Sequence, residues 1–556
     1  MTPSADHGLA TSDRAHAASA TPRARVRPDA PAARTLLWQA VLLGLSGDAL
    51  LRDGPAGPGL AIWVAILSLA ALSLTWSAAR RVPRESAVWL AVAVYLASSL
   101  AWRDAEAIRF LDVIGTVGAL GLAAVALRDP TLAIAAPRLR DTLWAGLAIV
   151  LATARGIVPL ALRELFAGER RAGAIGRART TLRLTLIVAS LLLVFGSLLR
   201  SADPIFASLV SLPDLDVGTI VSHVFLFGFF AWIAGGWAYG ALVESPQSRR
   251  APAEFPISLG ALDLTTALGT LTVLFGAYVL TQLGWFFGGE RFLHATTGLT
   301  AAQYARKGFF QMVWVVALVV PLLLATRAAL ARDASLARRH TLLSLPVVGL
   351  LGAIILSAAL RMRLYVQYYG LTAERLYTLV FMGWLAIVLA LLTFTVLRGR
   401  GRTFVAGSVV SALTLLVGLH VAVPDVIVAR VNLARAASAT ATVPLDLPYL
   451  ASLSGDAVPL AVSATLAPAT ADQQRDAFSA DAHCAAASRL LHSWGPTSRT
   501  AERHRSAGAW RTWNAGEALA LRAVGERSAE LRRLRHATCS SGWEGRVYQR
   551  GGGSDD

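Results

Sequence analysis

Three carboxylates, Asp48, Asp112 and Asp263, lie inside or beside long apolar runs. An ionised carboxylate in hydrocarbon is costly unless it is paired or faces water, so position decides what such a group can do. Asp112 and Asp263 fall near the ends of their runs and are expected at headgroup level. Asp48 is a few residues from the end of a short run, which argues against a proton relay there. His223, His294, His340 and His420 are scattered in or beside apolar runs, where a lone histidine is read as an interhelical hydrogen-bonding group. There is no HExxH, GxSxG, phosphate-binding P-loop, paired GxGD or CxxC pattern. No catalytic residue, metal or cofactor is therefore assigned.

A denser group of functional side chains consists of Asp203, Tyr304, Arg306, Lys307, Arg361, Arg363, Tyr365, Tyr369, Glu374 and Arg375. All fall in connections or helix ends on one side of the apolar runs. Two readings fit them. Arginine forks can clamp a phosphate or carboxylate, which gives a pocket for an anionic headgroup or solute. Alternatively, ion pairs with Asp203, Glu290, Glu374, Asp425 and Asp446, together with the tyrosines, make a structural rim at headgroup level. Between Tyr369 and Glu374, Gly370 can end one helix by adopting positive φ, and Thr372 can cap the next.

The elements that must position these groups are apolar runs of bilayer length. They lie at 35–51, 60–77, 86–102, 108–127, 182–199, 219–242, 261–287, 308–326, 341–360, 376–397 and 403–423. Hydrophobic residues make up 55% of the chain and charged residues 16%, well below the charged share of a soluble domain. The fold class is an all-α polytopic membrane bundle of eleven spans. Segment 142–162 is interrupted by Arg155 and Pro159 and is assigned as re-entrant or interfacial.

Charge sets the orientation. With 142–162 not crossing, the N-terminal tail and the loops on its side hold 26 basic residues against 10 on the other. By the positive-inside rule the N-terminus is then cytoplasmic and the C-terminus outside. The net charge of +17 lies in loops flanking the spans, so anionic lipid headgroups are the expected partner and nucleic acid is not. The Arg/Tyr group falls on the outward side, against the orientation trend.

The resulting division is a basic tail at 1–34 without periodicity and a four-span region at 35–127. A basic cytoplasmic region at 128–181 and a seven-span core at 182–423 follow. The last part, 424–556, is alanine-rich and charge-laced, with no further bilayer-length run, and is read as a small, mostly helical, extracytoplasmic domain. It holds both cysteines, Cys484 and Cys539, and outside the cytoplasm such a pair is expected to form a disulfide. Gly236 to Gly240 and Gly284 to Gly288 fit GxxxG and are read as packing within the bundle.

Four segments carry a family resemblance: Arg200 to Phe206, Phe287 to Phe310, Arg361 to Tyr377, and Pro424 to Pro459 with Asp425, Asn432, Arg435, Asp446 and Asp456. Together they resemble the bacterial multi-pass membrane family of domain of unknown function 4173, related to domain of unknown function 4153. The resemblance is strong over 200–459, rests on hydropathy alone before that, and is weak at Trp510 to Asn514. It implies a membrane fold in a bacterial cell membrane and no activity. Three function classes stay open: a non-enzymatic sensing, assembly or envelope component, a transporter or lipid-handling protein, and an enzyme acting on a lipid-linked substrate with Asp203 or Glu374 as acid or base.

Overall fold

The computed structural model describes residues 30–54, 57–77, 82–128, 139–158, 217–242, 260–297, 309–330, 334–400, 402–438, 444–467, 477–506 and 508–539, with isolated positions between 161 and 195. Helices α1 (Ala30–Leu51), α2 (Pro58–Ser77), α3 (Arg84–Ser99), α4 (Glu106–Arg128), α5 (Leu139–Arg155) and α6 (Val217–Leu242) form a first bundle. One buried cluster runs through it, from Leu36 on α1 to Ala241 on α6. Helices α7 (Ala261–Thr297), α8 (Phe309–Ala329), α9 (Ala334–Tyr369), α10 (Ala373–Leu391) and α11 (Arg402–Ala422) form a second, with its own core from Leu264 to Phe404.

Among the described residues seven helices, α2, α4, α6, α7, α9, α10 with its π-helical extension to Val396, and α11, are long and apolar enough to cross a membrane. The chain is a multi-pass integral membrane protein of all-α class. The other expected spans coincide with α1, the 16-residue α3 and α8, while 182–199 lies mostly outside the described residues.

Small residues let α1, α5 and α6 approach closely. A Cβ on Gly44 would fall 2.8 Å from the Phe227 ring, and one on Gly236 would fall 2.6 Å from the Thr153 carbonyl. The glycines of Gly236 to Gly240 thus face α5, within the bundle. Contacts pair Ala152 with Gly240 and Gly156 with Gly236, so α5 runs antiparallel along the C-terminal half of α6. Gly156, at φ +65°, ends it close to Trp232. The surroundings of Gly284 and Gly288 lie outside the described residues.

Helix direction bears on the same segment. Asp48 meets His223 and Ala40 meets Gly235, so α6 is antiparallel to α1. Trp237 donates to the Leu120 carbonyl and Arg128 to that of Gly240, so α6 is parallel to α4. Two consecutive parallel spans require an odd number of crossings between them. An α5 antiparallel to α6 meets this condition by itself, and 182–199 lies mostly outside the described residues.

After α11, Val423 turns the chain at φ +50°, a rare conformation for a β-branched residue, and Pro424 starts α12 (Pro424–Ala436). Short helices α13 (Leu447–Leu450) and α14 (Val458–Thr465) follow. Then come α15 (Ala477–Trp494), α16 (Arg499–Arg505), a 3-10 turn at Ala509–Thr512, α17 (Ala515–Glu526) and α18 (Ser528–Thr538). Of these, α12 to α15, α17 and α18 share a third core, which includes Leu371 from the turn between α9 and α10. Cys484 on α15 and Cys539 after α18 are joined by a disulfide.

Candidate functional site: the face that carries the C-terminal domain

The Arg/Tyr group is best described at the α9–α10 turn. Gly370 takes φ +82° and donates its N–H to the Val366 carbonyl, ending α9. Thr372 caps α10 by accepting from the Arg375 N–H at 3.3 Å. Arg375 then folds back, donating to the Gly370 carbonyl at 2.5 Å and the Tyr369 carbonyl at 3.5 Å. Its guanidinium lies 4.1 Å above the Tyr365 ring, and the Tyr365 and Tyr369 rings are 5.0 Å apart. The buried Asn432 of α12 completes the turn, accepting from Leu371 N–H at 2.9 Å and donating to Leu371 C=O at 2.6 Å. The Tyr449 hydroxyl accepts the Ala373 N–H at 2.8 Å.

Arg375, Tyr365 and Tyr369 therefore come together, but Arg375 is engaged in satisfying the last carbonyls of α9. Arg361 is buried, its Nε directed at the Ser357 carbonyl at 3.4 Å. Arg363 and Glu374 are exposed. Asp203, Tyr304, Arg306 and Lys307 lie outside the described residues.

A second polar group, at the start of α4, was only partly visible in sequence. Asp104 accepts the Gly455 N–H at 2.7 Å, and Asp456 accepts the Asp104 N–H at 3.0 Å. Each carboxylate thus holds the other segment's backbone. Arg103 donates to the His420 carbonyl at 2.8 Å and reaches Asp456 at 3.4 Å, while Arg109 lies 3.3 Å from Asp104. Gly516 closes against them, since a Cβ there would fall 2.9 Å from that of Asp104. Burial pushes the Asp104 carboxyl up to about 6, and burial also raises that of Asp456.

Asn514 links the same region to α17. Its Oδ1 caps α17 by accepting from Glu517 N–H at 3.1 Å, and its Nδ2 donates to the Leu100 and Arg103 carbonyls, both at 2.9 Å. The Glu517 carboxylate in turn receives Arg503 at 2.7 Å and His504 at 2.9 Å. Asp425 accepts the Ser454 N–H at 3.0 Å. Asp425, Asp456 and Asn514 all stood in the sequence segments singled out above. Asp104 had no signal beyond its place in a short connection between two apolar runs.

The carboxylates of the apolar runs resolve individually. Asp112, near the start of α4, is fully buried and bonded to His420 of α11 at 3.0 Å. Asp263 caps the start of α7 through the Gly260 N–H at 2.9 Å, at a helix end as expected. Asp48 pairs with Arg52 at 2.9 Å and His223 at 2.5 Å. His340 bonds Thr326 at 2.9 Å, between α8 and α9. Among the described residues no cluster of three or more His, Cys, Asp or Glu side chains is arranged to hold a metal.

The family model for a domain of unknown function (DUF4153) matches residues 90–464. The match begins within α3 and ends within α14, so it includes Asp104, Asp112, the α9–α10 turn and Asp456. It reaches well into the N-terminal spans, where the sequence resemblance rested on hydropathy alone. No curated protein and no solved structure matches the chain.

Proposed function

Because the chain belongs to the DUF4153 family, whose activity is unknown, we propose its role from its own geometry: a non-enzymatic sensing or assembly component of the bacterial cell envelope. In this reading the N-terminus is cytoplasmic and the C-terminal domain caps the outer face. The 26 to 10 distribution of basic residues supports the orientation. A disulfide between Cys484 and Cys539 agrees with export, because such bonds persist in oxidising compartments.

One observation carries the functional reading. The C-terminal domain holds both helical bundles at once. It grips the first through Asn514 on Leu100 and Arg103 and through the Asp104–Asp456 exchange. It grips the second through Asn432 on Leu371 and Tyr449 on Ala373. The carboxylates there are spent on backbone N–H groups rather than directed at a substrate. A partner or solute that shifts the domain would shift the two bundles relative to each other, which suits a sensor or an assembly platform.

Pulsed electron-paramagnetic-resonance distances between spin labels at Arg84 and Arg398, one on each bundle, test this. The expected result is a narrow distribution in the native protein and a broader one in Asn514→Ala. An unchanged distribution in that variant, with the domain demonstrably released by limited proteolysis, would overturn the reading.

A further inference from the structure

The 3-10 turn Ala509–Thr512 rests on the connection between α1 and α2. A Cβ on Gly57 would fall 2.7 Å from the Thr512 carbonyl carbon, and one on Gly59 would fall 3.1 Å from the Arg511 oxygen. Arg511 also pairs with Asp53 at 3.1 Å. Gly57 and Gly59 bracket Pro58, the first residue of a membrane-span helix. Thr512 and Trp513 are thereby held beside the first turn of that helix, the end of its apolar run.

At this level the domain exposes aromatic surface. Trp510 is 51% exposed and Trp513 40%. Trp102, in the turn after α3, is 55% exposed, and Asn514 grips the carbonyls on either side of it. Exposed tryptophan gains little in water, whereas its ring and N–H suit the zone between acyl chains and headgroups.

Beside the turn packs α16, whose sequence Arg-Thr-Ala-Glu-Arg-His-Arg is strongly basic. Arg503 and His504 are held by Glu517, and Arg511 by Asp53. Arg499 and Arg505 are exposed with no ion-pair partner among the described residues. Tryptophans at the boundary and free guanidinium groups beside them match an anionic lipid surface.

We propose that residues 499–513 of the C-terminal domain form a lipid-contact surface, with Trp510 and Trp513 in the interfacial zone and Arg499 and Arg505 on anionic phospholipid headgroups of the same membrane. The inference does not rest on the proposed function or on which face is outside, because it needs only the domain's place at the end of α2.

The full-length protein is labelled with fluorotryptophan, and the signals of the two residues are assigned with W510F and W513F. It is placed in nanodiscs of phosphatidylcholine alone or mixed with phosphatidylglycerol, each containing headgroup spin-labelled lipid. Both fluorine signals are expected to be lost to paramagnetic broadening, more completely in the phosphatidylglycerol discs. Arg499→Gln with Arg505→Gln should abolish the difference between the two compositions while leaving the other tryptophan signals in place, which reports an intact fold. Signals broadened by a water-soluble paramagnet and not by labelled lipid would overturn the proposal and point to solvent or a protein partner. Equal broadening in both compositions would overturn anionic lipid recognition.

Discussion

Arg375 and Arg363 lie twelve residues apart at one membrane face and differ in what their charge does. Arg375 bonds two helix-terminal carbonyls and covers the Tyr365 ring. A charge-assisted hydrogen bond contributes about 1.5 to 3 kcal/mol, and lysine cannot reproduce the planar stacking. Arg375→Lys should therefore lower the thermal stability of the purified protein by about 1 to 3 kcal/mol without changing what it binds. Arg363 is exposed and has no partner among the described residues. If the face binds an anionic headgroup or solute, Arg363→Lys should leave stability unchanged and reduce ligand retention about tenfold, the worth of one lost bidentate contact. Native mass spectrometry, looking for retained lipid or solute, reads both variants. Unaltered retention in Arg363→Lys would leave the rim as a structural collar. Gly370→Ala has no such ambiguity. Its Cβ would meet the Asn432 oxygen at 2.5 Å on a residue at φ +82°, and a loss of about 2 kcal/mol is expected.

At the scale of elements, the α5–α6 contact and the Asp104–Asp456 exchange make separate predictions. Gly236→Val should drive α5 off α6 and cost about 1 to 3 kcal/mol, as overpacking does. Gly228→Ala, on the same helix with nothing within 4 Å, should be neutral or stabilise by up to about 1 kcal/mol. Thermal melts of the two variants check this. Where the domain meets α4, the Asp104 carboxyl titrates near 6 when docked and near 3.8 when solvated. Between those values the docked state holds the extra proton. Its contribution is fully present below about 4 and is lost as pH rises to about 6, on the order of 2 to 3 kcal/mol for a shift of this size. Asp456 shifts in the same direction for the same reason, burial. Limited proteolysis between pH 4 and 7 should show the domain held more firmly at the acid end, and Asp104→Asn should flatten the profile.

For the whole molecule, the issue is how the two bundles and the domain sit across the bilayer. Cysteine-accessibility labelling in intact cells should find positions near Arg332 and Arg400 protected from an impermeant reagent and positions near Thr297 labelled. The reverse pattern would move the domain to the cytoplasm. The Cys484–Cys539 bond closes a loop of 55 residues, for which chain entropy gives about 4 kcal/mol. Reduction should accordingly lower the unfolding temperature of the C-terminal domain, and a melt with and without reductant measures it. Two fully reactive thiols in the unreduced, unfolded protein would rule the bond out.

Much of the architecture was written locally. A run of bilayer-length apolar residues has one stable form in lipid, a helix, because every backbone polar group must be satisfied within the segment. Gly370 and Thr372 announced a helix end and a cap from residue type alone, and the turn has that form. Asp112 shows where local reading stops. Its place near a span end was legible, but its partner, His420, is 308 residues away in the sequence. Asp104 and Asp456 are 352 residues apart, and neither carries a local signature of the other. Asn514 reads as an ordinary helix cap until its amide is seen on two carbonyls of the α3–α4 turn. The amino-acid sequence by itself determined the membrane class and the all-α character, since these follow from hydropathy and backbone hydrogen bonding over a few residues, while helix ends such as those of α9, at Ala334 and Tyr369, run past the apolar run that announced it. Only the tertiary structure decided which distant segments meet around the start of α4 and which carboxylates are buried there, because those contacts form between segments hundreds of residues apart.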